Sequence, residues 1–457
     1  MSEAALAMQG EVISGQADRN WQGASLDSRT ICDGELFFAI EGEKTDGHRF
    51  VEAAFDRGAS AVVVKQGVDL ATSGTVIVVD DTFEALHRLT RAVRDQVPRH
   101  LVAITGSVGK TTTKEILAEM LGGEFQVARN PGNFNNLLGF PIALLGIPDD
   151  TEWMVAEMGM STPGELSQIS QLGRPDVALF TNVRPVHLEF FGSLRAIADA
   201  KAELLDGLVE GGVVVANRDD AEVVRIVSDY AGSVVWYAVE VDAEYQARDI
   251  EPLAGDRIGS RFTLAIANDE HPIELALHGR YNVENFLAAA ACAHKLGVSV
   301  DRIIEVAKVV EGQPMRGVVR SLEGGISVVD DCYNSNPQAL KAALESAREL
   351  DGTRFLAVLG DMLELGEAAE QFHRQAGREA AELGFSPVVG VGELSKEIVQ
   401  AATENGADAV WFEDSEAAAS GLQDELVAGD VVLVKGSRGI GLEKVVTSLL
   451  RSAGEDA

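Results

Sequence analysis

A glycine-rich turn that leads into lysine and threonine residues is the segment of this sequence with the clearest chemical meaning. Glycines allow backbone N–H groups to curve around phosphate oxygens, and a helix that starts at the turn adds the positive end of its dipole. The lysine of such a turn neutralises β- and γ-phosphates, and the hydroxyl after it coordinates Mg²⁺. We therefore predict an ATP-binding phosphate loop formed by Gly106, Ser107, Val108, Gly109, Lys110, Thr111 and Thr112.

The residues on either side of this loop have the order of elements that it requires. Leu101–Thr105 is a short apolar run typical of a buried strand, and Thr112–Leu121 has apolar residues at helical spacing. Ile104 stands where the common loop pattern has its first glycine. The alternative interpretation, a chance glycine turn before a helix, is the weaker one because both flanking elements are present.

A carboxylate closes another predicted strand, Trp153–Glu157, within apolar surroundings. A buried carboxylate is costly unless a cation accompanies it. In open α/β sheets, ligands bind beyond the carboxyl ends of the strands, where both Glu157 and the phosphate loop stand in the sequence. We therefore expect Glu157 to be a Mg²⁺ ligand.

Four segments, in their order along the chain, resemble the Mur ligase family, which joins amino acids or peptides to a UDP-linked peptidoglycan precursor. They are the loop Thr-Gly-Ser-x-Gly-Lys-Thr-Thr from Thr105, the Thr-Asn-x-x-x-x-His segment ending at His187, the Ala-Lys-x-Glu segment around Lys201, and Gly-x-x-Asn-x-x-Asn, which contains Asn282 and Asn285. The resemblance implies an amide-bond ligase that uses ATP and Mg²⁺, the latter expected as two ions.

The resemblance also assigns roles to residues that spacing alone leaves ambiguous. His187 corresponds to a ligand of the second metal, and Lys201 corresponds to a lysine that becomes carbamylated and then helps to hold a metal. By themselves, a lone loop histidine and a helical lysine are more often surface groups. The implied catalytic residues are Lys110, His187 and Lys201, and the implied metal ligands are Thr111, Glu157, His187 and carbamylated Lys201.

Further nucleotide contacts are implied in the second half of the chain. Asn282 corresponds to an adenine contact, although Asn282 and Asn285 would equally suit the N-terminal cap of a helix. Arg316 corresponds to a nucleotide-facing arginine, Asp331 to a ribose contact and Asn336 to a residue on the adenine side. The alternative role of the carboxylates around Asp331 is to cap the helix that follows.

Segments near both ends of the sequence indicate the substrates to be joined. The N-terminal Asp-Ser-Arg and Gly-x-x-x-Asp-Gly-His segments resemble a UDP-sugar-peptide binding domain, and the runs 359–366 and 434–438 resemble those of family members that add a dipeptide. The implied substrates are UDP-N-acetylmuramoyl-tripeptide and D-alanyl-D-alanine. The implied binding residues are Ser28, Arg29, Asp46 and His48 for the first substrate, and Lys435, Ser437 and Arg438 for the second.

Other classes of protein share part of this pattern. A folylpolyglutamate-type ligase or the ligase that adds the third residue would have the same loop, although the sequence contains no Asn-Pro-Arg motif for a diamino acid. A P-loop switch or motor would hydrolyse nucleotide without either peptide substrate. A catalytically inactive binding protein is disfavoured because all the predicted catalytic and metal-binding residues are present, namely Lys110, Thr111, Glu157, His187 and Lys201.

Composition and charge set the broad class. The chain has 457 residues, 46% of them hydrophobic, so it can bury several cores. Its 38 basic and 72 acidic residues give a net charge of −34, which disfavours nucleic acid and anionic membranes as partners. Its three cysteines have no metal-type spacing, and no apolar run is long enough to span a membrane. We expect a cytoplasmic monomer.

Apolar β-branched runs alternate with helical patterns, which predicts α/β units with parallel sheets. Clear examples are the strand Ala61–Lys65 and the helix Thr82–Gln96. The patterns also predict helices over His48–Arg57 and Leu194–Leu205, and a strand that begins at His278.

The sequence and the resemblance together predict the three-domain architecture of the family. Residues 1–98 form the UDP-sugar-peptide binding domain, and residues 99–315 form the central ATP-binding domain, in which the P-loop lies at a parallel sheet. Residues 316–457 form a Rossmann-like C-terminal domain that binds D-alanyl-D-alanine.

Overall fold

The structure is a computed structural model that describes residues 1–42, 45–68, 74–97, 99–186, 188–254, 257–422 and 425–452. His187, which the sequence predicts to be catalytic and a metal ligand, lies outside the described residues. The chain is organised in two compact units. The first consists of Met1–Thr105, Glu124–Ala178 and Ala202–Val213, and the second of Gly106–Gly123, Leu179–Lys201 and Val214–Ala457.

Helices and strands alternate along most of the described chain. The helices are α1 (Ser2–Ala7), α2 (Val51–Asp56), α3 (Thr82–Gln96), α4 (Lys110–Leu121), α5 (Gly139–Leu145), α6 (Glu165–Gly173), α7 (Leu188–Phe191), α8 (Leu194–Ala202), α9 (Ala221–Val227), α10 (Arg280–Lys295), α11 (Val300–Val309), α12 (Pro337–Arg348), α13 (Ala369–Glu382), α14 (Ser395–Glu404), α15 (Ser415–Leu422) and α16 (Glu443–Ser452). Among the described helices, none is long and apolar enough to cross a membrane.

The strands group into three sheets. They are β1 (Glu11–Ser14), β2 (Ala24–Ser25), β3 (Leu36–Phe38), β4 (Ala61–Lys65), β5 (Val76–Val79), β6 (His100–Thr105), β7 (Val127–Arg129), β8 (Trp153–Glu157), β9 (Val177–Phe180), β10 (Val213–Asn217), β11 (Ser233–Ala238), β12 (Tyr245–Pro252), β13 (Ser260–Ile266), β14 (Asp269–Leu275), β15 (Val318–Leu322), β16 (Ile326–Asp331), β17 (Arg354–Gly360), β18 (Val388–Val391), β19 (Ala409–Phe412) and β20 (Asp430–Lys435).

A five-stranded sheet with the order β1-β5-β4-β3-β2 lies in the first unit. Strands β2 to β5 are parallel, and β1 joins β5 antiparallel. Side chains alternate between the two faces, so Val62 and Val64 belong to one buried cluster, and Ala61 and Val63 to the other. Helix α2 covers the first face, and α1, α3 and α5 cover the second. Burial on both faces explains why β4 is apolar nearly throughout.

The nine-stranded sheet has the order β14-β13-β12-β11-β10-β9-β6-β8-β7. Strands β6, β8 and β7 are parallel neighbours, as the sequence predicts for the sheet that carries the phosphate loop. Strands β12, β13 and β14 are instead joined antiparallel, which the sequence patterns did not predict. These strands alternate between buried and exposed residues, a pattern that suits an antiparallel extension with one solvated face.

The six-stranded sheet has the order β15-β16-β20-β17-β18-β19. Strand β15 is antiparallel to β16, and the other five strands are parallel. Apolar clusters cover both faces, with α12, α13 and α14 on one side and α15 and α16 on the other. Helices on both faces of a parallel sheet make a doubly wound domain. The prediction of a Rossmann-like C-terminal domain is therefore confirmed.

Local predictions agree with the structure to different degrees. The strand Ala61–Lys65 and the helix Thr82–Gln96 have the predicted bounds. The predicted helix over His48–Arg57 is a 3₁₀ turn, Gly47–Phe50, followed by α2. Helix α8 ends at Ala202, and the next residues continue as a 3₁₀ turn. The strand predicted to begin at His278 is wrong, because the residues before α10 form bends that end at Gly279 with φ of 91°.

Helix α10 provides a test of close packing in the second unit, where it packs against α4, β11 and β12. Its alanine-rich middle is fully buried, and Ala289 has no exposed surface. We expect Ala289→Leu to lower the free energy of unfolding by about 1–3 kcal/mol, because extra methylenes cannot fit without displacing neighbours. The measurement is chemical denaturation followed by circular dichroism. Ala417→Leu at an exposed position of α15 is the control, and equal effects of the two substitutions would contradict this interpretation.

Candidate nucleotide and substrate site

The phosphate loop leaves β6 and enters α4 through two glycines with unusual backbone geometry. Gly106 has φ of 151°, and Gly109, the residue before α4, has φ of 85°. A Cβ atom at Gly106 would lie 1.8 Å from Thr181 Oγ1, and one at Gly109 would lie 2.1 Å from Asn285 Oδ1. Both positions therefore require glycine for conformation and for space. Helix α4 begins at Lys110, two residues earlier than predicted.

Lys110 lies at the start of α4 and folds back over the loop. Its Nζ donates a hydrogen bond to the carbonyl oxygen of Gly106 at 2.8 Å. Ser107, Thr111 and Thr112 are half-buried. The loop thus combines a helix N-terminus, hydroxyl groups and an ammonium group, which is the combination that binds phosphate.

The segment Thr181–Arg184 contacts the loop at several points, and we call it the loop-supporting segment. Asn182 Oδ1 accepts a hydrogen bond from Val108 N at 3.1 Å, and its carbonyl oxygen accepts one from Ser107 N at 2.9 Å. Thr181 Oγ1 donates to Val108 O at 2.7 Å. In the sequence, Thr181 and Asn182 stand out only as part of a motif, whereas the structure shows that their side chains fix the loop backbone.

Lys201 lies in α8 and is 4% exposed, so the interpretation as a solvated surface lysine is wrong. Burial lowers the pKa of Lys201 well below its ordinary value, and the positive charge of Lys110 lowers it further. In the described part of the chain, no carboxylate forms an ion pair with this amine. A buried lysine in such surroundings favours the neutral amine, the form that reacts with CO₂.

Asn282 and Asn285 lie in the first turns of α10, but neither caps it. The residue before the helix is Gly279, and no side chain caps this end. Asn282 is buried and donates from Nδ2 to His278 O at 2.8 Å. Asn285 Oδ1 lies 3.5 Å from Thr113 Oγ1 and against Gly109. The capping alternative is therefore wrong for both residues, and Asn285 joins α10 to the phosphate loop.

Arg316 and Asp331 lie in the second unit beside Tyr333 and Lys435. The Arg316 guanidinium carbon is 3.9 Å from the centre of the Tyr333 ring, a cation–π distance. Asp331 Oδ2 accepts a hydrogen bond from Lys435 Nζ at 2.6 Å. Burial raises the pKa of Asp331, and the charge of Lys435 opposes this effect.

Asn336, rather than a carboxylate, caps α12. Its side chain accepts a hydrogen bond from Ala339 N at 3.0 Å. Asp330 instead accepts from Met315 N at 3.2 Å, and the Cys332 thiol lies 3.0 Å from its other oxygen. The alternative that the carboxylates of this segment cap the helix is therefore wrong.

The three residues predicted to bind the dipeptide have different surroundings. The Lys435 side chain is 4% exposed, and its ammonium group forms an ion pair with Asp331. Ser437 is also buried, and its Oγ accepts a hydrogen bond from Leu363 N at 3.0 Å. Arg438 is 53% exposed, and its guanidinium carbon is 6.0 Å from the Tyr333 ring centre. Of these three residues, only Arg438 presents its charge to solvent.

The predicted residues of the first unit form two local pairs. Arg29 donates two hydrogen bonds to the Asp27 carboxylate, at 2.9 and 2.7 Å, and lowers the pKa of Asp27 to about 2. His48 Nδ1 lies 2.6 Å from Asp46 Oδ1, and its Nε2 accepts from Lys65 N at 3.0 Å. Because Nε2 is an acceptor, His48 is the Nδ1-protonated tautomer. Both ring nitrogens therefore have structural partners.

Glu157 ends β8 in the first unit and is 3% exposed. Asn135 donates from Nδ2 to Glu157 Oε1 at 2.5 Å, and Asn130 holds the backbone N–H and carbonyl of Glu157 at 3.0 Å each. An asparagine thus orients the carboxylate, a contact that no sequence signal indicated. Buried carboxylate oxygens suit Mg²⁺. Within the described residues, no group of three or more His, Cys, Asp and Glu side chains forms a metal site, and His187 lies outside them.

A phosphate loop at a strand end, a buried lysine beside the loop lysine, and a doubly wound domain that carries the Asp331–Lys435 pair define a multidomain nucleotide-binding enzyme of the α/β class. Family models match nearly the whole chain. They are described as "Mur ligase family, catalytic domain" at residues 21–103, "Mur ligase middle domain" at 104–293, and "Mur ligase, glutamate ligase domain" at 315–438. The chain belongs to the Mur ligase family.

Similar proteins cover almost the full length of the chain. The UDP-N-acetylmuramoyl-tripeptide--D-alanyl-D-alanine ligase of Bacillus subtilis (strain 168) is 34% identical over 94% of this chain and 93% of its own. The enzyme of that name from Escherichia coli (strain K12) is 34% identical over 96% of each chain.

Solved structures of MurF are similar to this fold. A crystal structure of MurF from Acinetobacter baumannii has a TM-score of 0.88 and 28% identity, and covers 99% of this chain and 98% of its own. MurF ligase from Thermotoga maritima in complex with ADP has a TM-score of 0.84 and 27% identity, and covers 96% of this chain and 99% of its own. The three-domain family architecture is therefore confirmed.

The steric requirement at Gly109 leads to a prediction. A residue other than glycine at φ near 85° costs roughly 1–2 kcal/mol, and its Cβ would also collide with Asn285. We expect Gly109→Ala to weaken ADP binding about tenfold or more, measured by calorimetry. Gly164→Ala is the matched control, because Gly164 also precedes a helix with φ of 84° but has no atom within 4 Å of the added Cβ. Equal ADP affinity in the two variants would contradict the steric argument.

Proposed function

We propose that this chain joins D-alanyl-D-alanine to UDP-N-acetylmuramoyl-tripeptide, converting ATP to ADP and phosphate. The reaction would be a step of peptidoglycan precursor synthesis, and thus of cell wall biogenesis, in the cytoplasm. The choice of substrates is supported by the names of the relatives that match over more than nine-tenths of the chain. The observation that carries the chemistry is the phosphate loop with Lys110 beside the buried amine of Lys201.

The proposed reaction has two steps. A carboxylate is a poor electrophile, so the terminal carboxylate of the tripeptide first attacks the γ-phosphorus of ATP, which forms an acyl phosphate and releases ADP. The amine of the dipeptide then attacks the acyl carbon, and phosphate leaves with the C–O bonding electrons while the amine loses a proton. Lys110 and the loop N–H groups would stabilise the negative charge of the phosphates. The loop-supporting segment would keep these donors in place.

Divalent metal would be held by carboxylate and hydroxyl oxygens of this chain. We propose Thr111 and Glu157 as Mg²⁺ ligands, since a hydroxyl after a loop lysine and a buried carboxylate both suit this hard cation. When bound, Mg²⁺ neutralises phosphate charge and polarises the P–O bonds. Carbamylated Lys201 and His187 would serve a second ion.

The remaining predicted contacts stay proposals. Asn282 and Asn336 would contact the adenine side of ATP, Arg316 would face the nucleotide, and Asp331 would contact the ribose. Ser28, Arg29, Asp46 and His48 would contact the UDP-linked substrate. Arg438 would contact the dipeptide through its exposed guanidinium. The buried side chains of Lys435 and Ser437 would hold the chain segment that carries Arg438. The domain limits 1–98, 99–315 and 316–457 and the monomeric state are proposed on the same basis.

The test of this function is phosphate release in the presence of ATP, Mg²⁺, UDP-tripeptide and D-alanyl-D-alanine, with one component omitted at a time. We expect release to need all four, and Lys110→Ala to abolish it while the circular dichroism spectrum stays unchanged. Release without the dipeptide would indicate an NTPase. Release with another amino acid in place of the dipeptide would indicate a different ligase of the family.

The buried amine of Lys201 leads to a separate prediction. We expect Lys201→Ala to lose activity by about 10–100-fold, as for loss of a group that tunes a metal site, and formate or acetate to restore part of it. Lys201→Arg should not be restored, because arginine stays cationic and cannot take up CO₂. In the wild type, activity should fall as the pH falls through the lowered pKa of Lys201, since only the neutral amine reacts. Full activity of Lys201→Arg would overturn the carbamylation proposal.

A further inference from the structure

The turn that follows β10 contains two buried side chains that the proposed mechanism does not use. Asn217 and Asp220 are each 4% exposed. Asn217 donates from Nδ2 to Thr181 O at 3.0 Å. Asp220 Oδ2 accepts from Val183 N at 2.9 Å and pairs with the Arg184 guanidinium. Both residues therefore contact the same segment, Thr181–Arg184, that contacts the phosphate loop.

A continuous path of hydrogen bonds connects Asp220 to the phosphate loop. Asp220 fixes the backbone of Val183 and the side chain of Arg184. The backbone of Arg184 then makes two hydrogen bonds with the hydroxyl of Ser107. Ser107 Oγ donates to Arg184 O at 3.0 Å and accepts from Arg184 N at 2.8 Å. Ser107 is the second residue of the phosphate loop.

The two oxygens of Asp220 have separate partners. Oδ1 caps α9 by accepting from Glu222 N at 3.0 Å and Val223 N at 3.1 Å. Oδ2 holds Val183 and Arg184. One carboxylate thus links the N-terminus of α9 to the segment that supports the loop. Only a group with two acceptor oxygens can satisfy both sets of donors, because an amide has a single acceptor oxygen.

We propose that Asp220 is a positioning residue for ATP, which acts through Arg184 and Ser107 to hold the phosphate loop in its binding geometry. This inference rests on the proposed function, because it assumes that the loop binds the phosphates of ATP. It adds that loop geometry depends on a residue more than one hundred positions along the chain. Arg184 transmits the effect through its backbone, and its side chain fixes the orientation of that backbone.

The deciding variant is Asp220→Asn, tested in the full chain by calorimetric titration with ADP. Asparagine has nearly the same shape and keeps one acceptor oxygen, but its NH₂ group would face either the cap donors or Val183 and Arg184. We expect the dissociation constant for ADP to rise at least about fivefold, with KM for ATP rising similarly and KM for the dipeptide unchanged. Asp414→Asn is the matched control, because Asp414 Oδ1 accepts from Ala417 N at 2.8 Å at the start of α15.

Two further variants distinguish positioning from capping. Arg184→Ala leaves the cap of α9 and the Ser107 backbone contacts possible, and should weaken ADP binding in the same direction but less. Combining Asp220→Asn with Ser107→Ala should add little to Ser107→Ala alone if Asp220 acts through Ser107. Unchanged ADP affinity in Asp220→Asn and Arg184→Ala, even with a lowered melting temperature, would overturn the inference. A wild-type chain that binds no ADP would instead overturn the proposed function.

Discussion

The phosphate loop approaches its neighbours so closely that two of its positions have no room for a side chain, and much of the second unit maintains this approach. Gly106 lies against Thr181, and Gly109 lies against Asn285. Asn285 keeps its position because α10 packs its fully buried alanines closely against neighbouring elements. Thr181 keeps its position because Asn217, in the turn after β10, donates a hydrogen bond to its carbonyl oxygen at 3.0 Å. The glycines, the small residues of α10 and the buried polar turn are therefore parts of one constraint.

Charge imposes a second constraint on this region. The chain has a net charge of −34, yet its proposed substrates are anions. Binding them requires basic side chains concentrated at the site, where acidic side chains of the protein do not neutralise them. Lys110 meets this need by folding over the loop toward Gly106. Lys201 would add a second positive charge close by, but its burial and the charge of Lys110 both lower its pKa. The protein thus favours a neutral amine at this position, which is the state that carbamylation requires.

The sequence predicted those features that depend on neighbours in the chain. The loop was found because glycines, lysine and threonine must be contiguous there, and β4 and α3 were found because their apolar periods are regular. It could not predict contacts made across long separations, such as Asn135 on Glu157 or Asp220 on Val183, because an isolated polar residue gives no indication of its partner. The capping role considered for Asn285 failed for the same reason, because its partners Thr113 and Gly109 are distant in the sequence.

The pair formed by Asp331 and Lys435 joins two functions that the sequence assigned to different substrates. Asp331 ends β16 and Lys435 ends β20, and parallel pairing places them in register. Lys435 is buried and Asp331 is half-buried, and Lys435 also donates to Asn334 O at 2.9 Å. Removing Asp331 would leave the buried Lys435 ammonium without its counter-charge, which is strongly destabilising. Ser437 and Arg438 lie two and three residues after Lys435. The surface proposed for the dipeptide and the residue proposed for the ribose therefore share this one ion pair.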